Sequence, residues 1–289
     1  MKFKLLKEVL LDEKKCINFL FENDILYKLQ SCSHCNSSLN INYKKRLYRC
    51  NNHHCRKSIS IYKDSFFAKS HLKCSDIMFI GYCWLCGNNY TSIIRVTGHS
   101  SNTITSYMNF FRELVISTLE DDNHVIGGPG IIVEIDESKF AKRKYHRGRM
   151  IDGVWVVGGI ERTDEKKCFV KVVQDRSAET LYGVISRHVA PGSIVYTDLW
   201  RGYGNFFNEL NMTHRTVNHS VNFVDPNTGA HTNTIEGLWN GFKLQIPPRN
   251  RTRKTITKHL LECIWRKNNK NDLWNGFLIA LKTTGYFDE

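Results

Sequence analysis

Three acidic residues stand where a carboxylate can do chemistry. Asp136 follows the apolar stretch Ile131-Ile-Val-Glu-Ile135, and Asp198 closes Ser193-Ile-Val-Tyr-Thr197. Glu236 lies in His231-Thr-Asn-Thr-Ile-Glu236, where Ile235, Leu238, Trp239 and Phe242 recur at helical spacing. Short apolar runs bounded by turn residues predict strands, so two aspartates come from strands and the glutamate from a helix. Such hard oxygen donors on rigid elements are the donor set of a two-metal phosphoryl-transfer site. A lone aspartate at a strand end is usually a cap, so the combination carries the reading.

Four cysteines have a different chemistry. Cys32 and Cys35 form one close pair and Cys50 and Cys55 another, with a short polar and aromatic stretch between them. Two thiolate pairs at this spacing predict one tetrahedral structural zinc ion, with His34, His53 and His54 as substitute ligands. Cys83 and Cys86 form a further pair, but with no partner pair and with apolar neighbours they read as core.

The chain of 289 residues carries 41 Lys and Arg against 28 Asp and Glu, a formal net charge of +13. The excess is clustered. No acid falls between Asp24 and Asp64, where Lys44, Lys45, Arg46 and Arg49 lie, or between Glu236 and Glu262, where Lys243, Arg249, Arg251 and Arg253 lie. A third run holds Lys142, Arg143, Lys144, Arg147 and Arg149. Acid-free basic runs around a carboxylate cluster predict a nucleic-acid path. The charged N-terminus does not suit a signal peptide, and no stretch reads as membrane-spanning, so an intracellular protein with no membrane partner is expected.

These residues need elements to position them. Residues 1–28 read as N-terminal helices, 29–68 as a zinc ribbon and 69–119 as a helix-turn-helix. In the last, Ser101 to about Leu114 is the recognition helix, with Asn102, Thr103 and Thr105 facing bases. The Gly- and Pro-rich residues 120–130 read as a linker. From 131 to 267 the pattern gives strands at 131–135, 153–160 and 168–173, a helix from Ser177 to His188, a strand at 193–197, a helix at 202–210, a strand at 213–217 and the helix of Glu236. Residues 268–289 form a helical tail. The fold class is therefore α+β or α/β, with an RNase H-like catalytic domain behind a zinc ribbon and helix-turn-helix. Alternation places Asp136 on the face of Glu134, emerging as its strand ends.

At this point the chain resembles the Merlin-type DDE transposases and their bacterial insertion-sequence relatives with an ISXO2-like catalytic domain. The likeness runs from the ribbon to about Lys267. It rests on Cys55-Arg-Lys-Ser-Ile-Ser60 and Ser65-Phe-Phe67, Val133-Glu-Ile-Asp-Glu-Ser-Lys139 and Tyr145-His-Arg-Gly-Arg149. It rests also on Trp155-Val-Val-Gly-Gly-Ile-Glu-Arg162, Tyr196-Thr-Asp198 with Trp200 and Gly202-Tyr203, and His231 to Trp239 with Lys243. The resemblance implies cut-and-paste DNA transposition, with Asp136, Asp198 and Glu236 as catalytic triad holding two magnesium or manganese ions. It implies double-stranded DNA as partner, as terminal inverted repeats and as target, and a homodimer on DNA. His219 and Lys139 are auxiliary candidates near the scissile phosphate. The Cys-x4-Cys spacing favours a eukaryotic source and the nucleus; a bacterial source would place the protein in the cytoplasm. Two other readings are an RNase H-like nuclease and a domesticated DNA-binding protein on the same scaffold.

Overall fold

The computed structural model describes residues 3–119, 125–141, 153–218, 229 and 231–283. The chain divides into two compact units, Met1–Leu119 with Asn269–Glu289, and Glu120–Asn268.

The first unit begins with helices α1 (Phe3–Leu11) and α2 (Glu13–Glu22), then an antiparallel sheet of β1 (Leu39–Asn42), β2 (Leu47–Cys50) and β3 (Ser58–Ser60) in that order. Tyr48 of β2 is buried, and its hydroxyl donates to the Tyr27 carbonyl. Helix α3 (Cys74–Leu85) has no side-chain cap of its own. The Glu13 carboxylate of α2 takes that place, accepting from the Ser75 amide at 3.0 Å and from the Tyr62 hydroxyl at 2.8 Å. Helices α4 (Tyr90–Thr97) and α5 (Ser101–Ile116) follow, each started by a side-chain cap, Asn89 and Ser100. Between them Gly98 takes φ 71°, a left-handed cap that a side chain would strain.

The second unit is a five-stranded mixed sheet. After β4 (Ile126–Gly127) come β5 (Ile132–Phe140), β6 (Val154–Glu161) and β7 (Cys168–Val173), an antiparallel meander. Helix α6 (Ala178–His188) and β8 (Val189–Ala190) lead to β9 (Ile194–Thr197), which returns parallel to β5, and β10 (Thr213–Thr216) runs parallel to β9. The order is β10-β9-β5-β6-β7, consistent with an RNase H-like sheet. Helix α7 (Asn233–Gln245) lies over β5 and β6, and α8 (Ile256–Asn268) lies against β7. On the α6 face Val133, Ile135 and Val157 pack with Leu181, Ile185 and Phe207.

Three expectations change. Strand β5 does not end at Asp136: Glu137 to Phe140 continue the ladder against Val154 to Val157, so Asp136 sits mid-strand opposite Gly158. The segment 202–210 is not a helix. It forms a single 3-10 turn at Arg201–Tyr203, ended by Gly204 at φ 44°, and its apolar residues Tyr203, Phe206 and Phe207 are buried by loop packing instead. Of the stretch read as a linker, the described residues 125–130 join the second unit, where Ile126 is buried in the core and β4 pairs with β8. The tail, in turn, carries α9 (Leu273–Thr283), whose Phe277 is buried against Trp84 and Phe111 of the first unit.

Gly158 lets α7 approach the sheet. A Cβ there would stand 2.6 Å from the Trp239 indole and 3.2 Å from the Phe169 carbonyl oxygen. Gly158→Ala should therefore cost about 1–3 kcal/mol through overpacking, read as a lower midpoint in urea unfolding with unchanged slope.

Candidate active site and metal centre

Strand β5 presents Glu134 and Asp136 on the face covered by α7, since alternate residues share a face. Glu134 is fully buried, and its carboxylate is saturated. It accepts from the Arg162 Nε at 2.6 Å, the Thr234 amide at 2.8 Å, the Thr234 hydroxyl at 2.8 Å and the Ile235 amide at 3.0 Å. Thr232, at the N-cap of α7, makes no side-chain cap. A strand carboxylate a hundred residues upstream thus binds the exposed amides of the helix start, where the helix dipole also favours negative charge. Arg162 extends the clamp by donating to the His231 carbonyl at 2.7 Å and stacking on Tyr196.

That clamp sets the register of Glu236 on the first turn of α7, where Thr232 Oγ1 donates to its carboxylate at 3.3 Å. One turn on, Trp239 Nε1 donates to Asp136 Oδ2 at 3.0 Å. Asp198 follows β9, and its Oδ1 accepts from the Trp200 amide at 2.9 Å. Thr197 beside it donates to the Asp198 carbonyl, which leaves its oxygen to accept from His214 Nε2 at 2.9 Å. The bond requires the Nε2–H tautomer. Burial holds His214 down at about 4, so the ring is neutral near pH 7.

Asp136 senses the other two acids. Burial raises Asp136 to about 6, and the charges of Asp198 and Glu236 push the same way, against the Glu137 amide and the Trp239 indole. An acid raised on folding binds more protons folded than unfolded over roughly pH 4 to 6. Stability at this position therefore falls as pH rises through that window. Behind it Glu137 is raised to about 7, first by burial, with the buried Tyr203 hydroxyl beside its carboxyl pulling the other way. Lys243 lies close enough for Asp136 to act on it, while burial lowers its own pKa. The acids' ligand atoms are not gathered within 4.8 Å of one another; among the described residues only the four cysteines are. Hard carboxylate oxygens under mutual repulsion fit divalent cations such as magnesium.

Cys32, Cys35, Cys50 and Cys55 form that tight group, which could hold a zinc ion. Their Sγ atoms lie 3.8 Å apart for Cys32 and Cys55 and 3.4 Å for Cys35 and Cys50. Four thiolates around one zinc at the usual bond length stand about 3.8 Å apart. The Ser37 hydroxyl and amide pull Cys35 down to about 6, and the His34 and Cys35 amides lower Cys32, so part of the set favours thiolate. His34, His53 and His54 are exposed and outside the group.

The basic candidates divide. Lys44, Lys45, Arg49, Arg249 and Arg253 are exposed. Arg46 is held by the Leu72 carbonyl, and Arg251 by the Ile246 and Lys243 carbonyls that end α7. Asn102 and Thr105 are exposed on α5, the Thr105 hydroxyl donating to the Ser101 carbonyl at 2.9 Å, and Thr103 is engaged with the Ser100 cap. Lys139 is exposed and lies over the Trp155 ring. Lys142, Arg143, Lys144, Arg147, Arg149 and His219 lie outside the described residues. Glu134 escaped the sequence reading as a functional residue. The signal was its position two before Asp136 in an otherwise apolar strand, where a charge needs a buried partner.

The profile of the ISXO2-like transposase domain matches residues 119–268. An uncharacterized transposase-like protein of Haemophilus influenzae is 34% identical over 104 residues, covering 36% of this chain and 82% of that protein. Among the described residues no helix is long and apolar enough to cross a membrane.

Glu134→Ala should destabilise the protein by about 3–5 kcal/mol, because the Arg162 Nε and the Thr234 and Ile235 amides that start α7 all lose their acceptor; Glu134→Gln, which keeps one acceptor, should lose less, as denaturant titration would measure. Stripping bound zinc with a strong chelator should melt the β1-β2-β3 unit, seen as lost amide-exchange protection at Tyr48 and Cys50, and added zinc should restore it.

Proposed function

The chain belongs to the ISXO2-like transposase family, and on that premise we propose that it cuts and joins DNA with two divalent cations held by Asp136, Asp198 and Glu236. The observation that carries the reading is electrostatic: the charges of Asp198 and Glu236 both bear on a half-buried Asp136, though the three come from separate stretches of chain. Single surface acids do not do this, and a two-ion site, with metals about 3.5–4 Å apart, calls for donors spread wider than one coordination sphere.

Magnesium or manganese bound there would activate a water or a DNA 3′-hydroxyl and stabilise the leaving oxygen. The chain's own work is orientation. Trp239 fixes Asp136, the Trp200 amide fixes Asp198, and Glu134 fixes the helix that bears Glu236. The zinc-bound ribbon, with Lys44, Lys45 and Arg49, contacts phosphates, and α4 with α5 acts as a helix-turn-helix that reads the terminal inverted repeats through Asn102 and Thr105. Joining two ends calls for a homodimer on DNA.

The test uses purified protein, magnesium and labelled duplex carrying the repeats that flank its gene. Cleavage and strand transfer are expected from the wild type, and neither from Asp198→Ala, which should still bind. Tight binding without metal-dependent cleavage would replace this reading with a domesticated DNA binder. Cleavage of branched DNA without strand transfer would replace it with a nuclease.

A further inference from the structure

Arg176, just before α6, has no part in the roles above. Its guanidinium lies 3.7 Å from the centre of the Trp200 ring and 4.6 Å from that of Trp155. Trp200 also grips the backbone, its Nε1 donating to the Arg176 carbonyl at 3.2 Å. Cation–π stacking engages the faces of a guanidinium and leaves its edge, where the N–H donors point. Among the described residues that edge has no hydrogen-bond or ion-pair acceptor; only the charge of Arg176 is felt, by the Glu137 carboxyl.

Arg176 and Trp200 line an open cavity of about 490 Å³ together with Asp175, Ser177 and Arg201. The acid in it is already committed, because Asp175 Oδ1 accepts from the Ser177 amide at 3.0 Å and from the Thr180 hydroxyl at 2.7 Å. Arg201 is exposed, 5.9 Å from the Trp200 ring centre. Trp200, which lines the cavity, also holds the Asp198 carboxylate through its backbone amide. An arginine held against two indole rings, with no acceptor for its N–H donors among the described residues and a second arginine near, suits a planar or tetrahedral oxyanion. With Arg176 against its ring, Trp200 is poorly placed to stack a base.

We propose that Arg176 is a phosphate clamp, whose guanidinium edge binds one phosphodiester of the DNA strand passing Asp198, with Arg201 as a looser second contact. The placement beside a catalytic acid rests on the transposase reading; the contact itself requires only DNA. It touches backbone, so it lends affinity without sequence preference.

The experiment measures anisotropy of the full-length protein on two labelled duplexes, one ending in the repeat that flanks its gene and one scrambled, over a series of potassium chloride concentrations. Arg176→Ala should weaken both about tenfold, and the slope of log affinity against log salt should shrink by about 0.9, the share of one duplex phosphate. Arg176→Gln, gentler on the fold, should lose the same slope, with circular dichroism melts reporting integrity. Wild-type affinity and slope in either folded variant overturn the clamp. Wild-type protein that binds both duplexes yet never cuts with magnesium overturns the transposase reading and leaves the slope to decide the clamp. Protein that binds neither duplex overturns both.

Discussion

A buried carboxylate capping a helix that begins a hundred residues away is the constraint on which the second unit depends. Helix starts leave amides without partners, and most are satisfied by a neighbour in sequence, as Asn89, Ser100 and Ser177 do here. Helix α7 is satisfied by Glu134 of the central strand instead. The difference matters because a local cap fixes where a helix begins, whereas a cap lent by a strand also fixes where it lies. Glu13 does the same for α3 in the first unit. Each unit thus has an acidic side chain that ties its layers by accepting from several donors at once.

Around Asp136 the balance tilts the other way. Burial and two neighbouring acids oppose its ionisation, and the opposing Trp239 indole and Glu137 amide only partly compensate. Trp239 reaches Asp136 because Gly158 leaves the space for its ring, so a missing side chain on one strand governs the aim of a carboxylate on the next.

Much of this was legible in the sequence because it is periodic or closely spaced. The apolar runs at 168–173 and 193–197 named their strands, and the two cysteine pairs named a cluster whose sulfurs meet. Alternation put Glu134 and Asp136 on one face. What alternation could not give is a partner: that Glu134 meets Thr234 and Ile235 follows from how α7 crosses β5, which no local pattern encodes. The stretch from Gly202 to Leu210 misled because buried aromatics at helical spacing can equally be buried by a loop, and Gly204 in a left-handed conformation decides for the loop. Strand β5 was read short because the charges at Glu137 and Lys139 mimic a strand end, although the ladder to β6 runs on. Arg46 and Arg251 counted as free cations in the sequence, yet carbonyls within reach claim both.

The return of α9 to the first unit has a consequence for the order of folding during synthesis. The second unit is one continuous segment and can close as soon as it leaves the ribosome. The first cannot, since Phe277 is the plug between Gly81, Trp84 and Phe111. At ~5–20 residues per second, α3 and α5 wait on the order of ten seconds or more with that face uncovered. The half of the protein that emerges first is therefore the half completed last.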